Sequence, residues 1–349
     1  MYEKIGISLG KDKGYAVHIG GYQSKIPNDP NIKFYPLYSF KRISLARLFA
    51  PFKFLRLLLK LKPQLIIACT YELLPASVLY KLFFKCKVIY DVQENYYSNI
   101  IHNKTYPFLL RLPLAFYVRG IELGHKYTID YYLIAEKIYE KELGFTKGRS
   151  VVLENKYSGE LIERNMTRND GEIRLIYTGT IAEEYGVFQA IELVKKLHAL
   201  DSSISLTIIG YSSKQKTLIQ LKQAIEGCLF IQLKGDNTLV PHHEILEELK
   251  QADFGLTCYQ SNKATENRIP TKLYEYLAFQ LPIILQKNAL WEEICSNYNA
   301  GIVIDYQHFD PITLLKQLKV EKFYGKEVDR SLLWENEEGK LLTIVKRLI

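Results

Sequence analysis

A chain of 349 residues with 48% apolar content can bury about two domain cores, and its mixed charge excludes a disordered polymer. Five cysteines (Cys69, Cys86, Cys228, Cys258 and Cys295) are odd in number and form no CxxC pair, which disfavours a disulfide framework or a zinc site and fits a reducing compartment. No uncharged run reaches the ~18 residues that span a bilayer, and Met1-Tyr2-Glu3-Lys4 leads into no apolar signal core, so a soluble or peripheral protein is expected.

Strand and helix alternate along the whole chain. Helices are predicted near 2–12, 45–62, 73–84, 106–127 and 136–143, around strands at 15–19, 32–37, 65–68, 87–91, 131–134 and 150–153. The net charge of +8 concentrates here: Asn31–Gly120 carries fourteen Lys and Arg against three acids, leaving the remainder near −3. Two segments stand out, 41–62 and 108–119. In the first, Lys53, Arg56 and Lys60 stack on one helical stripe; in the second, Arg111 and Arg119 sit among aromatic and aliphatic residues. One reading is contact with an anionic membrane surface, the other two core-facing helices with solvated basic edges. Nucleic acid is not expected, because these aromatics follow apolar periodicity and match no stacking motif.

The polar stretch 158–171 reads as a linker between a domain at 1–157 and another at 172–329, with a closing helix at 330–349 that packs back on the first. In the second domain strands are predicted at 173–177, 205–209, 230–233, 254–257, 282–285 and 302–304. Helices lie near 186–200, 213–226, 243–251, 271–279, 290–297 and 311–318. Two doubly wound, Rossmann-like α/β units in series follow.

The most informative stretch is Glu266-Asn267-Arg268-Ile269-Pro270-Thr271-Lys272-Leu273-Tyr274-Glu275-Tyr276-Leu277-Ala278, followed by the buried run Leu281–Leu285. It reads as a helix opened by Pro270, with charge at its front, running into a strand, which is where an α/β fold holds an anion. If Pro270 is the first helical position, Glu275 lies more than one turn in and is not a cap. Gly179, lacking a Cβ, would let a diphosphate approach the backbone after the second domain's first strand.

Taken in order, Tyr177-Thr178-Gly179-Thr180-Ile181, Gly186-Val187, Leu206-Thr207-Ile208-Ile209-Gly210, Ala252-Asp253, Pro270–Ala278 and Ala300-Gly301-Ile302 resemble the donor half of a GT-B-fold glycosyltransferase of the retaining, family-four kind. Lys62–Ala68, Glu72–Ala76 and Val88–Glu94 are similar to its acceptor half. The resemblance implies a nucleotide-sugar donor as co-substrate, no cofactor, no metal, and a glycan or lipid-linked acceptor. It implies work in cell-surface polysaccharide or glycoconjugate synthesis, in the cytoplasm or at the inner membrane face. Donor binding would fall to Gly179, Thr180, Gly210, Thr271, Lys272, Leu273 and Glu275, with Glu275 on the ribose. Catalysis would fall to Glu266, Asn267 and Arg268. His242 and Glu94 are further donor or acceptor contacts by the same implication; for His242 a capping turn is the other reading.

The chain also departs from the pattern. Eight residues before Glu275, where the family places a first glutamate, stands Asn267, with Glu266 one position out of register. The family's cationic pair after the first glycine falls on Thr180 and Tyr185, and its acceptor-side histidine on Cys69 or Tyr71. The first strand of the acceptor domain is absent from the expected order, since the chain opens in the helix that follows it. A non-catalytic GT-B scaffold and a GT-B sugar epimerase are therefore the alternatives to transfer.

Overall fold

The structure, a computed structural model, describes residues 2–23, 29–40, 44–102, 106–162, 171–260 and 266–349. Met1, Lys41, Arg42 and most of the stretch read as a linker lie outside these residues. The chain divides into two units, Met1–Ser158 with Trp334–Ile349, and Gly159–Leu333.

The first unit opens in a helical turn, Tyr2–Gly6, continued by α1 (Ile7–Gly10). β1 (Val17–Tyr22) and β2 (Ile32–Tyr38) form a parallel pair. β3 (Leu65–Ala68), β4 (Lys87–Val92), β5 (Tyr131–Ile134) and β6 (Ser150–Val152) form a parallel sheet in that order. The strands read as continuous apolar runs because both faces are covered. Ile66, Val88, Tyr90 and Tyr132 pack on one face against Phe54 and Leu58 of α2 (Ala50–Leu61) and Leu74 and Tyr80 of α3 (Leu74–Phe83). Ile89 and Leu133 point the other way, onto Ile5, Leu9 and the chain's last helix. The remaining helices are α4 (Tyr96–His102), α5 (Phe108–His125) and the short α6 (Tyr139–Glu142). No helix was expected at α4: its sequence lacks an apolar period, and it is started by Asn95, whose Oδ1 accepts from the Ser98 amide at 3.3 Å.

The second unit holds β7 (Ile173–Thr180), β8 (Ile204–Tyr211), β9 (Ile231–Lys234), β10 (Phe254–Thr257), β11 (Ile283–Gln286) and β12 (Gly301–Ile304). All are parallel, in the order β9-β8-β7-β10-β11-β12. The helices are α7 (Val187–Leu200), α8 (Gln215–Ala224), α9 (His242–Gln251), α10 (Thr271–Ala278), α11 (Ala289–Ser296) and α12 (Pro311–Val320). Asn288 and Asp310 cap α11 and α12 by accepting from two backbone amides each. The strand order reverses between β7 and β10, and in such sheets ligands bind at the carboxyl ends of the strands at that reversal.

The last helix, α13 (Glu335–Leu348), belongs to the first unit. Its Leu341 and Val345 enter the core, and Lys156 Nζ reaches Glu337 Oε1 at 2.6 Å with both groups buried.

Candidate functional site

The carboxyl ends of β7 and β8 are built from glycine. Gly179 pairs in register with Gly210, and a Cβ on Gly210 would stand 1.7 Å from the Gly179 carbonyl oxygen. Gly210 therefore permits close strand approach. Gly179 differs: its φ of +93° disfavours any residue with a Cβ, yet a Cβ there would meet nothing within 4 Å among the described residues. It faces open space at the strand reversal. Thr180 beyond it is exposed, and its carbonyl accepts from the buried Tyr177 hydroxyl at 3.0 Å.

Helix α10 follows from β10 and carries the charged groups. Pro270 is the residue before the helix, not its first residue: its ψ of 134° is extended, and the helix begins at Thr271, which is half-buried. Among the described residues no side chain caps this end, so the positive end of the helix dipole lies next to Thr271 and Lys272. Lys272 points inward. Its Nζ lies 4.1 Å from the centroid of the Tyr177 ring and 5.1 Å from that of Tyr259, and it is buried with no hydrogen-bond partner among the described residues. Burial lowers its pKa to about 8, partly offset by Cys258 and Glu275. The aromatic faces compensate a cation only in part, which leaves this ammonium suited to an incoming anion.

One turn on, Glu275 Oε1 stands 3.1 Å from Nε2 of His242, the first residue of α9. His242 is thus tied to Glu275 rather than confined to a local turn. Leu273 is a packing residue instead of a donor contact, since its side chain is fully buried and its amide is bonded to the Pro270 carbonyl. Ahead of the helix, Glu266 and Asn267 are exposed and Arg268 half-buried. The backbone there is pinned: Trp291 Nε1 donates to the Arg268 carbonyl at 2.6 Å and Asn288 Nδ2 to that of Glu266 at 2.8 Å. Glu94 lies in the first unit, accepting from Asn99 Nδ2 at 2.7 Å.

Sequence reasoning missed Tyr177 and Tyr259 as the walls around Lys272, and Tyr276, whose hydroxyl lies 3.0 Å from that of Thr178. Nothing in the spacing marks them, because the strand order alone brings β7 and β10 together. An open cavity of about 460 Å³ lies at the opposite ends of β8 and β9, lined by Thr207, Gly227 and Leu229 among others, with no charged group. Among the described residues no three His, Cys, Asp or Glu side chains stand together as metal ligands would.

Residues 159–319, nearly all of the second unit, match the family model of glycosyl transferases group 1. The second unit thus carries a group 1 glycosyl transferase domain. Solved structures resemble it over both domains. Sucrose-phosphate synthase from Thermosynechococcus elongatus superposes with a TM-score of 0.72 at 13% identity, covering 98% of this chain and 90% of the other. An α,α-trehalose-phosphate synthase (UDP-forming) from Burkholderia vietnamiensis gives 0.65 at 12%, over 99% and 93%. Anabaena HepE in complex with UDP and glucose gives 0.64 at 10%, over 90% and 86%. At such identities the likeness is one of fold. No curated protein matches the sequence significantly. The glycine turn, the buried lysine and the α10 glutamate all lie inside the region matched by the family model.

Proposed function

We propose that the second domain binds a nucleotide-sugar through its diphosphate and ribose, and that the sugar passes to a glycan or lipid-linked acceptor with retention of configuration. The observation that carries this reading is Lys272, a buried ammonium with no hydrogen-bond partner among the described residues, held over the ring of Tyr177 two positions before the open backbone of Gly179. As the sugar leaves, negative charge grows on the departing phosphate. Lys272 and the positive end of α10 stabilise that charge more than they stabilise the bound donor, which lowers the barrier. Thr180 and Thr271 supply hydroxyls to the phosphates, and Glu275, oriented by His242, accepts from the ribose hydroxyls. Arg268, with Glu266 and Asn267, serves the sugar end. No metal or cofactor is part of this account.

Several solved structures of this fold are complexes with UDP or UDP-forming enzymes, which supports a nucleotide-sugar donor as the class to test first. The reading places the work in cell-surface polysaccharide or glycoconjugate synthesis, in the cytoplasm or peripherally at the inner membrane face. The test is a transfer assay with radiolabelled nucleotide-sugars, followed by proton NMR of the product anomer. An α-linked donor yielding an α-linked product supports retention. A β-linked product overturns it, and free epimerised sugar without an acceptor indicates the epimerase alternative instead.

A further inference from the structure

One side of the first unit presents apolar side chains that a water-facing surface does not need. Along α5, Phe108, Leu112, Phe116 and Leu123 recur at helical spacing on the outward face, while Ala115, Val118 and Glu122 are buried. Phe108 is 80% exposed and its neighbour Leu109 84%. The end of α3 adds Leu82 and Phe83, the latter 77% exposed, and the start of α2 adds Phe52 at 69%. Both α2 and α5 pack against α3, so the three helices form one continuous layer. Scattered exposed apolar residues mean little, but a connected set of this size marks a surface that something covers.

Charge selects among the possible occupants. The outward stripe of α2 interleaves Phe52 and Leu59 with Lys53, Arg56 and Lys60, all exposed. From Ser44 to Tyr90 the one acid is Glu72, held by Arg47 at 2.6 Å, and from Asn95 to Ile121 there is none. Glu122, which follows, is buried against Arg119. Apolar rings bordered by cations and cleared of carboxylates match a surface that dips into the boundary between acyl chains and anionic headgroups. A second copy of the chain is a poor occupant, since two such basic faces repel.

We propose that this face of α2, α3 and α5 docks the protein on an anionic lipid bilayer, Phe108, Leu112 and Phe116 entering the acyl boundary while Lys53, Arg56 and Lys60 meet the headgroups. The proposal deepens the peripheral placement given above and stands apart from donor binding. The experiment is flotation of the full chain with vesicles of phosphatidylcholine alone or with about 30% phosphatidylglycerol, alongside light scattering and nucleotide titration. Binding is expected to the anionic vesicles only and to weaken as salt is raised. At about fivefold per basic residue, Lys53→Glu/Arg56→Glu/Lys60→Glu should lower partitioning more than about tenfold. Phe108→Ser/Phe116→Ser should lower it similarly. These positions are exposed, so folding and nucleotide affinity should be retained; vesicle binding without nucleotide binding would leave this proposal standing while the donor reading fell. Equal binding to both vesicle types, no binding by the folded protein, or a solution dimer broken by Phe108→Ser/Phe116→Ser would overturn it.

Discussion

The Nζ of Lys272 lies 4.1 Å above the ring of Tyr177, buried, with no hydrogen-bond acceptor in reach among the described residues. A cation held this way destabilises the folded chain until an anion arrives, and its pKa of about 8, against the ordinary 10.5, records that cost. Between about pH 8 and 10.5 the unfolded chain holds a proton that the folded chain lacks. Stability from this group therefore rises with pH through that window, and the cost is fully present below about 8. Urea melts from pH 7 to 10.5 should show the rise in the wild-type chain and a flatter curve for Lys272→Met.

Nucleotide binding should mirror this. A bound diphosphate favours the charged amine, so binding should take up a proton near pH 8 and weaken above it. Lys272→Met should weaken binding by about 1.5–3 kcal/mol, the worth of a hydrogen bond to a charged group. Titration in buffers of different ionisation enthalpy checks both.

Glu275→Ala should weaken nucleotide binding by about 1–3 kcal/mol through loss of a hydrogen-bonded carboxylate. His242 is 3.1 Å away and 40% exposed; on the proposed reading it orients Glu275, so His242→Ala should cost less. Equal losses in the two variants would give His242 a direct contact.

Two glycines separate packing from binding. At Gly186 φ is +79° and a Cβ would stand 1.6 Å from the Cys258 carbonyl oxygen, so Gly186→Ala should cost about 3 kcal/mol or more of stability. Gly179 has similar backbone strain but open space, so Gly179→Ala should cost only about 1–2 kcal/mol while impairing nucleotide binding. Denaturation and titration of both variants give the comparison.

Much of this was legible in the sequence, and the reasons are local. The strands at Leu65–Ala68, Tyr131–Ile134 and Phe254–Thr257 stand where short apolar runs put them. β7 runs on through Thr178-Gly179-Thr180, where the apolar pattern stops but the ladder to β8 continues. Lys272 and Glu275 could be singled out because they are charges in an otherwise apolar helix. That Lys272 points inward could not, because its cage joins residues of β7 and of the turn after β10, neighbours in the sheet but some eighty positions apart in sequence. The exposure of Phe108 and Phe116 was one of two readings the sequence left open, since an apolar helix reads alike whether it is covered or bare.

The buried pair between Lys156 and Glu337, 2.6 Å apart, anchors α13 in the first unit. Glu337→Ala leaves Lys156 with a weakened set of partners and should cost about 3–5 kcal/mol. The exposed Lys11–Glu338 pair, by contrast, should contribute no more than about 1 kcal/mol. Urea denaturation of Glu337→Ala and Glu338→Ala measures the difference.

Calorimetric titration of the purified chain with UDP, GDP, ADP and their sugars, without added metal, tests the central claim most directly. The account predicts saturable binding of one nucleotide family, weakened in both Lys272→Met and Glu275→Ala. Binding by none of them, or binding indifferent to both substitutions, would contradict it.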